Sequence, residues 1–190
     1  MTPAAPTAPA AYSVPLVIRG AAHDLSHLDP FTFEVASDKV PRPLRVNVRF
    51  TNHCYTEAFD LARHPADEPA VMDGVRRRAF SPDRYALSRR LPGLVRGLAD
   101  PRAKVRETGS RRNWMYSAVV EIPAEGTRYG VFFGLRRAPA DRRRLQDLEL
   151  VVESAYPADP ARPEPNILGR VGFVLLAGST FLGRRVSTKP

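Results

Sequence analysis

Apolar and polar residues alternate along several segments of the chain, and this alternation predicts strands. The clearest case is the segment 44–51, where leucine, valine and phenylalanine fall on one face and arginine, asparagine and threonine fall on the other. Less regular runs predict further strands at 31–35, 113–122, 129–135 and 148–156. Since one face of 44–51 is polar along its whole length, we expect that face to meet water or a ligand.

A helical pattern lies between the second and the third of these strands. Ser81 is a typical helix cap, Pro82 suits the first helical turn, and leucine and valine recur at helical spacing from 87 to 98. Pro92 interrupts this stripe, because proline removes one backbone hydrogen bond of a helix. We therefore expect either one kinked helix or two short helices in succession.

The remaining segments lack a clear period. Residues 63–79 are polar and interrupted by proline, and residues 100–112 are polar and basic, so both are predicted to be connections. The apolar part of 166–186 is compatible with a strand or a helix, and its valine, phenylalanine and glycine content favours a strand. The Ala/Pro-rich residues 1–20 are predicted to be a flexible tail, which leaves 21–190 as a single domain.

This order of elements indicates an α+β fold. We expect an antiparallel sheet of about four to six strands, with the helices packed on one face. The order does not fit a doubly wound nucleotide-binding fold, and the sequence lacks a glycine-rich phosphate loop, so no cofactor is expected. His23 and His27 have a spacing seen in metal sites on helices, but no helix and no third ligand accompany them. No metal site is predicted.

Composition adds a charge and a compartment to this picture. The 190 residues include 29 Lys and Arg against 20 Asp and Glu, for a net charge of +9, which favours an anionic partner, although an arginine-rich composition alone also produces it. The single cysteine, Cys54, excludes a disulfide within one chain, so a cytoplasmic protein is expected. No apolar run is long enough to span a bilayer, and no membrane contact is predicted.

The densest set of candidate functional residues follows the strand 44–51. Arg49 and His53 share its polar face if the strand continues to residue 53. Histidine transfers protons near neutral pH and arginine matches phosphate oxygens, so this pair indicates a phosphate-handling site. The alternative is a polar strand end whose histidine is hydrogen-bonded locally. Cys54 points to the opposite face and is predicted to be a small buried residue.

Arginines also occur in groups along other segments, and these would line a nucleic-acid groove if the fold gathered them on one side. Arg136 ends one predicted strand, beside the next strand, in which Ser154 and Tyr156 share a face. Their hydroxyls are candidates to contact a phosphate. The alternative is that they form hydrogen bonds with backbone groups at the edge of the sheet. The further candidates for nucleic-acid binding are Arg45, Arg89, Arg90 and Arg137.

Two resemblances to known families follow from these elements. The helical segment, the hairpin 116–135 and the strand that ends Glu153-Ser154-Ala155-Tyr156-Pro157 resemble the barnase/EndoU/colicin/RelE group of nucleases, most closely its phage-derived and polymorphic-toxin members. This resemblance covers residues 44–157. The run 52–56 also resembles a strand end found in small phage-associated and stationary phase growth adaptation proteins.

The nuclease resemblance implies a metal-independent endoribonuclease, in which the ribose 2′-hydroxyl attacks its own phosphate. In this chain it implies that His53 is the base or acid and that Arg49 and Arg136 clamp the phosphate. Ser154 and Tyr156 would be auxiliary donors. RNA is then the expected partner, together with an inhibitor or antitoxin protein.

Other functions stay open at this point. Members of the nuclease group often place a catalytic His or Glu on the helix, where this chain has Ser88, Arg89 and Arg90. A non-enzymatic accessory protein of a phage or mobile element, or a growth-adaptation factor, would bind RNA or a protein partner without catalysis. A third alternative is an α+β protein whose basic charge is only compositional.

Overall fold

The computed structural model describes residues 12, 14–109, 115–122, 127–158 and 166–186. Within these ranges the chain is α+β, as predicted. The strands are β1 (Leu16–Ile18), β2 (Ala21–His23), β3 (Phe31–Val35), β4 (Leu44–Phe50), β5 (Thr56–Ala58), β6 (Ala70–Asp73), β7 (Arg76–Phe80), β8 (Lys104–Thr108), β9 (Met115–Ile122), β10 (Thr127–Arg137), β11 (Leu148–Pro157) and β12 (Ile167–Gly172). The helices are α1 (Pro82–Ser88), α2 (Leu91–Gly97) and α3 (Phe173–Phe181), and short 3-10 turns lie at Ser26–Leu28, Asn52–Cys54 and Ala140–Arg142.

Among the described residues, the main sheet has seven strands in the order β12-β8-β9-β10-β11-β4-β3, more than the four to six expected. The prediction was low because β8 lies in residues 100–112, which were predicted to be a connection. Neighbouring strands are antiparallel except β11 and β4, which run parallel. The amino ends of β4 and β11 therefore lie together, and so do their carboxyl ends. We call the side of the sheet where these two strands begin the amino-end edge, and the side where they end the carboxyl-end edge. Both names refer to strand ends and not to the outermost strands.

One face of the sheet carries the core. The alternation predicted for 44–51 is confirmed, because Leu44, Val46 and Val48 are fully buried while the residues between them are partly exposed. Phe173 at the start of α3 packs on the same core, with its ring centroid 6.0 Å from that of Phe133. Burying one such side chain contributes about 1.5–3 kcal/mol to stability. The apolar face of β4 is therefore held in the core, and its polar face remains accessible.

The break in the helical stripe is confirmed as two short helices. Pro92 lies in the first turn of α2, where the missing backbone N–H has no partner to lose. Ser81 precedes α1, as predicted, but its side chain makes no capping hydrogen bond among the described residues. Leu87, Leu91 and Val95 bury the apolar stripe of α1 and α2 in the core.

Three segments differ from their predicted structure. Residues 63–79 contain β6 and all but the last residue of β7, joined by a two-residue turn in which Gly74 has φ 58°. The Asp-Gly sequence at this turn is typical of a hairpin. The segment was nevertheless predicted to be a connection, because most of its residues are polar. Residues 100–112 contain β8, and 166–186 contain the expected strand, β12, followed by a helix, α3, that was not favoured. The glycine at 172 ends β12, and the apolar residues after it form α3.

The predicted tail 1–20 lies mostly outside the described residues. Within it, Leu16–Ile18 pairs with Ala21–His23 across a tight turn, in which Arg19 and Gly20 both have positive φ. Tyr12 donates its hydroxyl proton to the Phe50 carbonyl at 3.2 Å. In the described part of the chain, no helix has the length and apolar character needed to cross a membrane.

Candidate functional site

The chain turns sharply where β4 ends at the carboxyl-end edge, and this turn places His53. Thr51 holds the turn in two directions, because its hydroxyl accepts the His53 backbone N–H at 3.2 Å and donates to the Glu153 carbonyl at 2.8 Å. Asn52 donates its side-chain amide to the Met72 carbonyl at 3.0 Å. These contacts tie the turn both to β11 and to β6.

His53 is paired with a carboxylate. Its Nε2 atom lies 2.9 Å from Asp73 Oδ2, and the two side chains are 32% and 42% exposed. The hydrogen bond from His53 lowers the pKa of Asp73 below its usual value, and the charges of Arg78 and Arg76 lower it further. Since an ionised carboxylate only accepts, Nε2 carries the proton and a neutral His53 keeps its lone pair on Nδ1. No hydrogen bond from the described residues occupies Nδ1.

One arginine contacts the backbone of this histidine, and a second contacts the nearby Thr56. Arg84 donates to the His53 carbonyl at 3.3 Å and to the Thr56 carbonyl at 2.9 Å. Its guanidinium also lies 5.2 Å from the centre of the Tyr156 ring. Arg78 Nε donates to the Thr56 hydroxyl at 2.7 Å. The site therefore combines an oriented histidine with fixed positive charge and one aromatic ring.

The groups buried beneath the turn are held neutral. Cys54 is fully buried, as predicted, and burial raises the pKa of its thiol to about 12. Burial likewise raises the pKa of the Tyr129 phenol, whose ring is inaccessible to solvent. Neither side chain supplies an anionic nucleophile at neutral pH.

Arg49 and Arg136 share a different carboxylate, that of Glu149. Arg49 forms an ion pair with Glu149 Oε1, and Arg136 Nε donates to Glu149 Oε2 at 2.6 Å. The arrangement follows from the sheet order, because β11 carries Glu149 between β4 and β10. Glu149 is 1% exposed, so the two arginines balance a buried charge. The structure therefore joins these predicted phosphate clamps to Glu149, while His53 is joined to Asp73.

The other predicted site residues are spread over several places. Ser154 is half-buried on β11, opposite Phe132, and Tyr156 lies near Arg84 at the carboxyl-end edge. Arg89 stacks on Tyr85 at 5.1 Å, beside the junction of α1 and α2. At that junction also lies Arg90, whereas Arg45 and Arg137 lie at the amino-end edge.

A second histidine, His27, lies close to a serine. His27 Nε2 is 2.7 Å from Ser88 Oγ, but Ser88 is fully buried and donates its proton to the Tyr85 carbonyl at 2.7 Å. The serine hydroxyl therefore accepts from His27. Burial, followed by the charge of Arg89, lowers the pKa of His27, which favours its neutral form. This pair holds α1 against the turn Ser26–Leu28 and does not present a nucleophile.

Sequence reasoning missed two residues of the site, Asp73 and Arg84. Asp73 lies in a segment predicted to be a connection, and its Asp-Gly step was the signal that would have placed it at a hairpin. Arg84 lies in the first half of α1, and no sequence signal distinguishes it from the other arginines. Both reach His53 through contacts between segments far apart in the chain.

Comparison with known proteins gives one match. Residues 15–181 match the model of the YjaZ family. No curated protein and no solved structure matches the chain. In the described ranges, no three His, Cys, Asp or Glu side chains are grouped so as to hold a metal ion.

Proposed function

The chain belongs to the YjaZ family, and we propose that it is a metal-independent endoribonuclease whose reacting group is His53. The observation that carries the proposal is the pairing of this half-exposed histidine with Asp73, which leaves Nδ1 available. The net charge of +9 and the arginines near the pair support an anionic substrate. The resemblance of the strand 148–156 to nuclease strand ends supports the same choice.

In this mechanism His53 Nδ1 takes the proton of a ribose 2′-hydroxyl as its oxygen attacks the adjacent phosphorus. The bond from phosphorus to the 5′-oxygen breaks, and that oxygen takes a proton from water or from the imidazolium. The products are a 2′,3′-cyclic phosphate and a 5′-hydroxyl. Asp73 orients the ring and stabilises the imidazolium, and Arg76 and Arg78 offset the negative charge that develops on the phosphate.

The proposal assigns the other predicted residues different roles. Arg49 and Arg136 neutralise Glu149 and so support the sheet rather than the phosphate. Tyr156 lies beside Arg84 and stays a candidate to contact the substrate. Ser154 stays a candidate donor on the same strand. The cytoplasm as the compartment, and an inhibitor or antitoxin as a protein partner, also stay predictions.

The test is incubation of the purified full-length chain with total cellular RNA in EDTA. We expect His53→Ala and Asp73→Asn to lower the cleavage rate by at least about 100-fold, the usual contribution of a positioned acid or base. The matched control is His64→Ala. His64 also faces a carboxylate, with Nε2 3.1 Å from Glu57 Oε1, but its Nδ1 already accepts the Asp60 backbone N–H at 3.0 Å.

Three results would decide the assignment. Cleavage by wild type and His64→Ala, with loss in both His53→Ala and Asp73→Asn, supports it. Equal cleavage by all four proteins contradicts it and points to a contaminating nuclease. Gel-shift binding of RNA without cleavage by any of them contradicts the enzyme and favours the accessory RNA-binding protein.

A further inference from the structure

A second site lies at the amino-end edge of the same two strands. Arg42, Arg137, Arg143, Asp147 and Phe181 line a cleft of 220 Å³, which we call the arginine cleft. It brings together the segment before β4, the end of β10, the segment before β11 and the end of α3. Four separate parts of the chain thus converge on a small opening that contains three arginines and one carboxylate.

The carboxylate, Asp147, fixes the first arginine in place. Arg42 binds both of its oxygens, at 2.8 and 2.9 Å. The backbone N–H of Arg45 donates to Asp147 at 2.8 Å, and the Arg45 side chain forms an ion pair with it at 3.3 Å. Asp147 is 4% exposed, and hydrogen bonds from Arg42, followed by those from Arg45, hold its pKa well below the usual value. Its negative charge is therefore already balanced by these two arginines.

The other two arginines have no such balance. Arg137 lies over the Phe181 ring, 5.6 Å from the ring centre, and the Arg42 guanidinium lies 5.7 Å from the same centre. Arg143 Nε donates to the Ala138 carbonyl at 3.3 Å. Neither Arg137 nor Arg143 pairs with a carboxylate among the described residues, and both are exposed. Holding these guanidinium groups at one cleft costs free energy through like-charge repulsion, which a bound anion would offset.

The size and donor geometry of the cleft select the anion. A volume of 220 Å³ is smaller than the pockets of about 300–1,000 Å³ that enclose drug-sized ligands. The planar fork of a guanidinium matches phosphate oxygens, and several forks around one opening match a group with oxygens on all sides. We propose that the arginine cleft binds one phosphate group, either as inorganic phosphate or as the terminal phosphate of a small ester.

This site is separate from the one proposed for cleavage. Arg42 precedes β4 and His53 follows it, so the seven residues of that strand lie between them. At about 3.3 Å per residue, the two sites are roughly 20 Å apart. The phosphate site therefore does not depend on the proposed ribonuclease, and either assignment stands if the other fails.

The experiment measures calorimetric binding of inorganic phosphate and of phenyl phosphate to the full-length chain, at about 150 mM salt so that diffuse attraction to a basic protein is screened. Arg137→Gln and Arg143→Gln each remove one unbalanced charge of the cleft. Arg142→Gln is the matched control, because it removes the same charge from the same segment but does not line the cleft. The two phosphate compounds distinguish free phosphate from a phosphate ester.

We expect Arg137→Gln and Arg143→Gln each to raise the dissociation constant of at least one compound by about tenfold or more, as expected for a lost charge-assisted hydrogen bond. Arg142→Gln should change that constant less than about twofold, as is usual for a screened surface charge. Any other pattern overturns the proposal. This includes the absence of binding to wild type and equal weakening by all three variants.

Discussion

The two edges of the parallel pair β4 and β11 contain the same kinds of groups in opposite arrangements. At the amino-end edge, Asp147 is 4% exposed and is bound by two arginines. At the carboxyl-end edge, Asp73 is 42% exposed and is bound by His53 alone among hydrogen-bonding side chains of the described residues. All the oxygens of Asp147 are occupied by hydrogen bonds that connect parts of the chain. Asp73 instead orients the His53 ring, whose Nδ1 atom accepts no hydrogen bond from the described residues.

This contrast distinguishes charged groups that stabilise the fold from charged groups that are available for a reaction. A buried carboxylate with several donors has a large free-energy cost when its partners are lost, and it cannot exchange them for a ligand. A half-exposed pair contributes little to stability, yet it sets which nitrogen of the ring carries the proton. Variants at the amino-end edge should therefore change stability more than variants at the carboxyl-end edge, and the reverse should hold for catalysis.

The largest expected effect is that of Asp147→Asn. The substitution leaves Arg42 and Arg45 without a counter-charge, and we expect the free energy of unfolding to fall by about 2–3 kcal/mol. Urea denaturation monitored by circular dichroism measures it. The control is Asp141→Asn, since Asp141 is 76% exposed and 3.9 Å from Arg142, and its effect should stay within about 0.5 kcal/mol. Similar losses of unfolding free energy in both variants would contradict the structural role assigned to Asp147.

The same loss should depend on pH. The pKa of Asp147 is lower in the folded chain than its usual value of 3.8, so its stabilising contribution is fully present above that value. It is lost as the pH falls through the folded-state pKa. We expect the stability difference between wild type and Asp147→Asn to be constant from about pH 7 to 5 and to shrink below about pH 4. If the stability difference shrinks already near pH 6, its pH dependence comes from a group other than Asp147.

The next effect is that of Gly178→Ala in α3, the helix that brings Phe181 to the arginine cleft. A Cβ atom there would approach Lys39 Cβ at 2.9 Å and would lie still closer to Ser37 Oγ. We expect a loss of about 2 kcal/mol from overpacking. Gly97→Ala in α2 is the control, because its Cβ would meet nothing within 4 Å and should stabilise the helix by about 0.5–1 kcal/mol. RNA cleavage at the other edge should be unchanged in both variants, and a destabilising Gly97→Ala would refute the comparison.

The sequence specifies the elements of this fold better than it specifies their meeting points. The alternation of 44–51 places Arg49 on the polar face, because period and face follow from the strand itself. The identity of its partner does not, since Glu149 reaches it only through the parallel pairing of β11 with β4. A pattern within one strand contains no information about which strand lies beside it.

The same limit explains the sites. His53 is evident from the sequence, but Asp73 comes from a hairpin within a polar segment and depends on how that hairpin folds back on the turn after β4. Arg137 is evident as a basic residue, but Phe181 joins it because 166–186 ends in a helix rather than a strand. Candidate groups are thus readable from the sequence, while their pairing needs long-range contacts.

The smallest expected effect on stability, and the sharpest test of the contrast, is that of Asp73→Asn. Both partners of the His53–Asp73 pair are substantially exposed, so we expect the free energy of unfolding to change by less than about 0.5 kcal/mol. The asparagine amide can donate to Nε2, which favours the ring form with its proton on Nδ1 and removes the base. Urea denaturation and RNA cleavage measured on the same preparation should thus separate, with stability retained and cleavage reduced by about 100-fold. A loss of more than about 1.5 kcal/mol would instead place Asp73 with Asp147 as a structural carboxylate, because only a carboxylate whose partners depend on it for charge balance has an effect of that size.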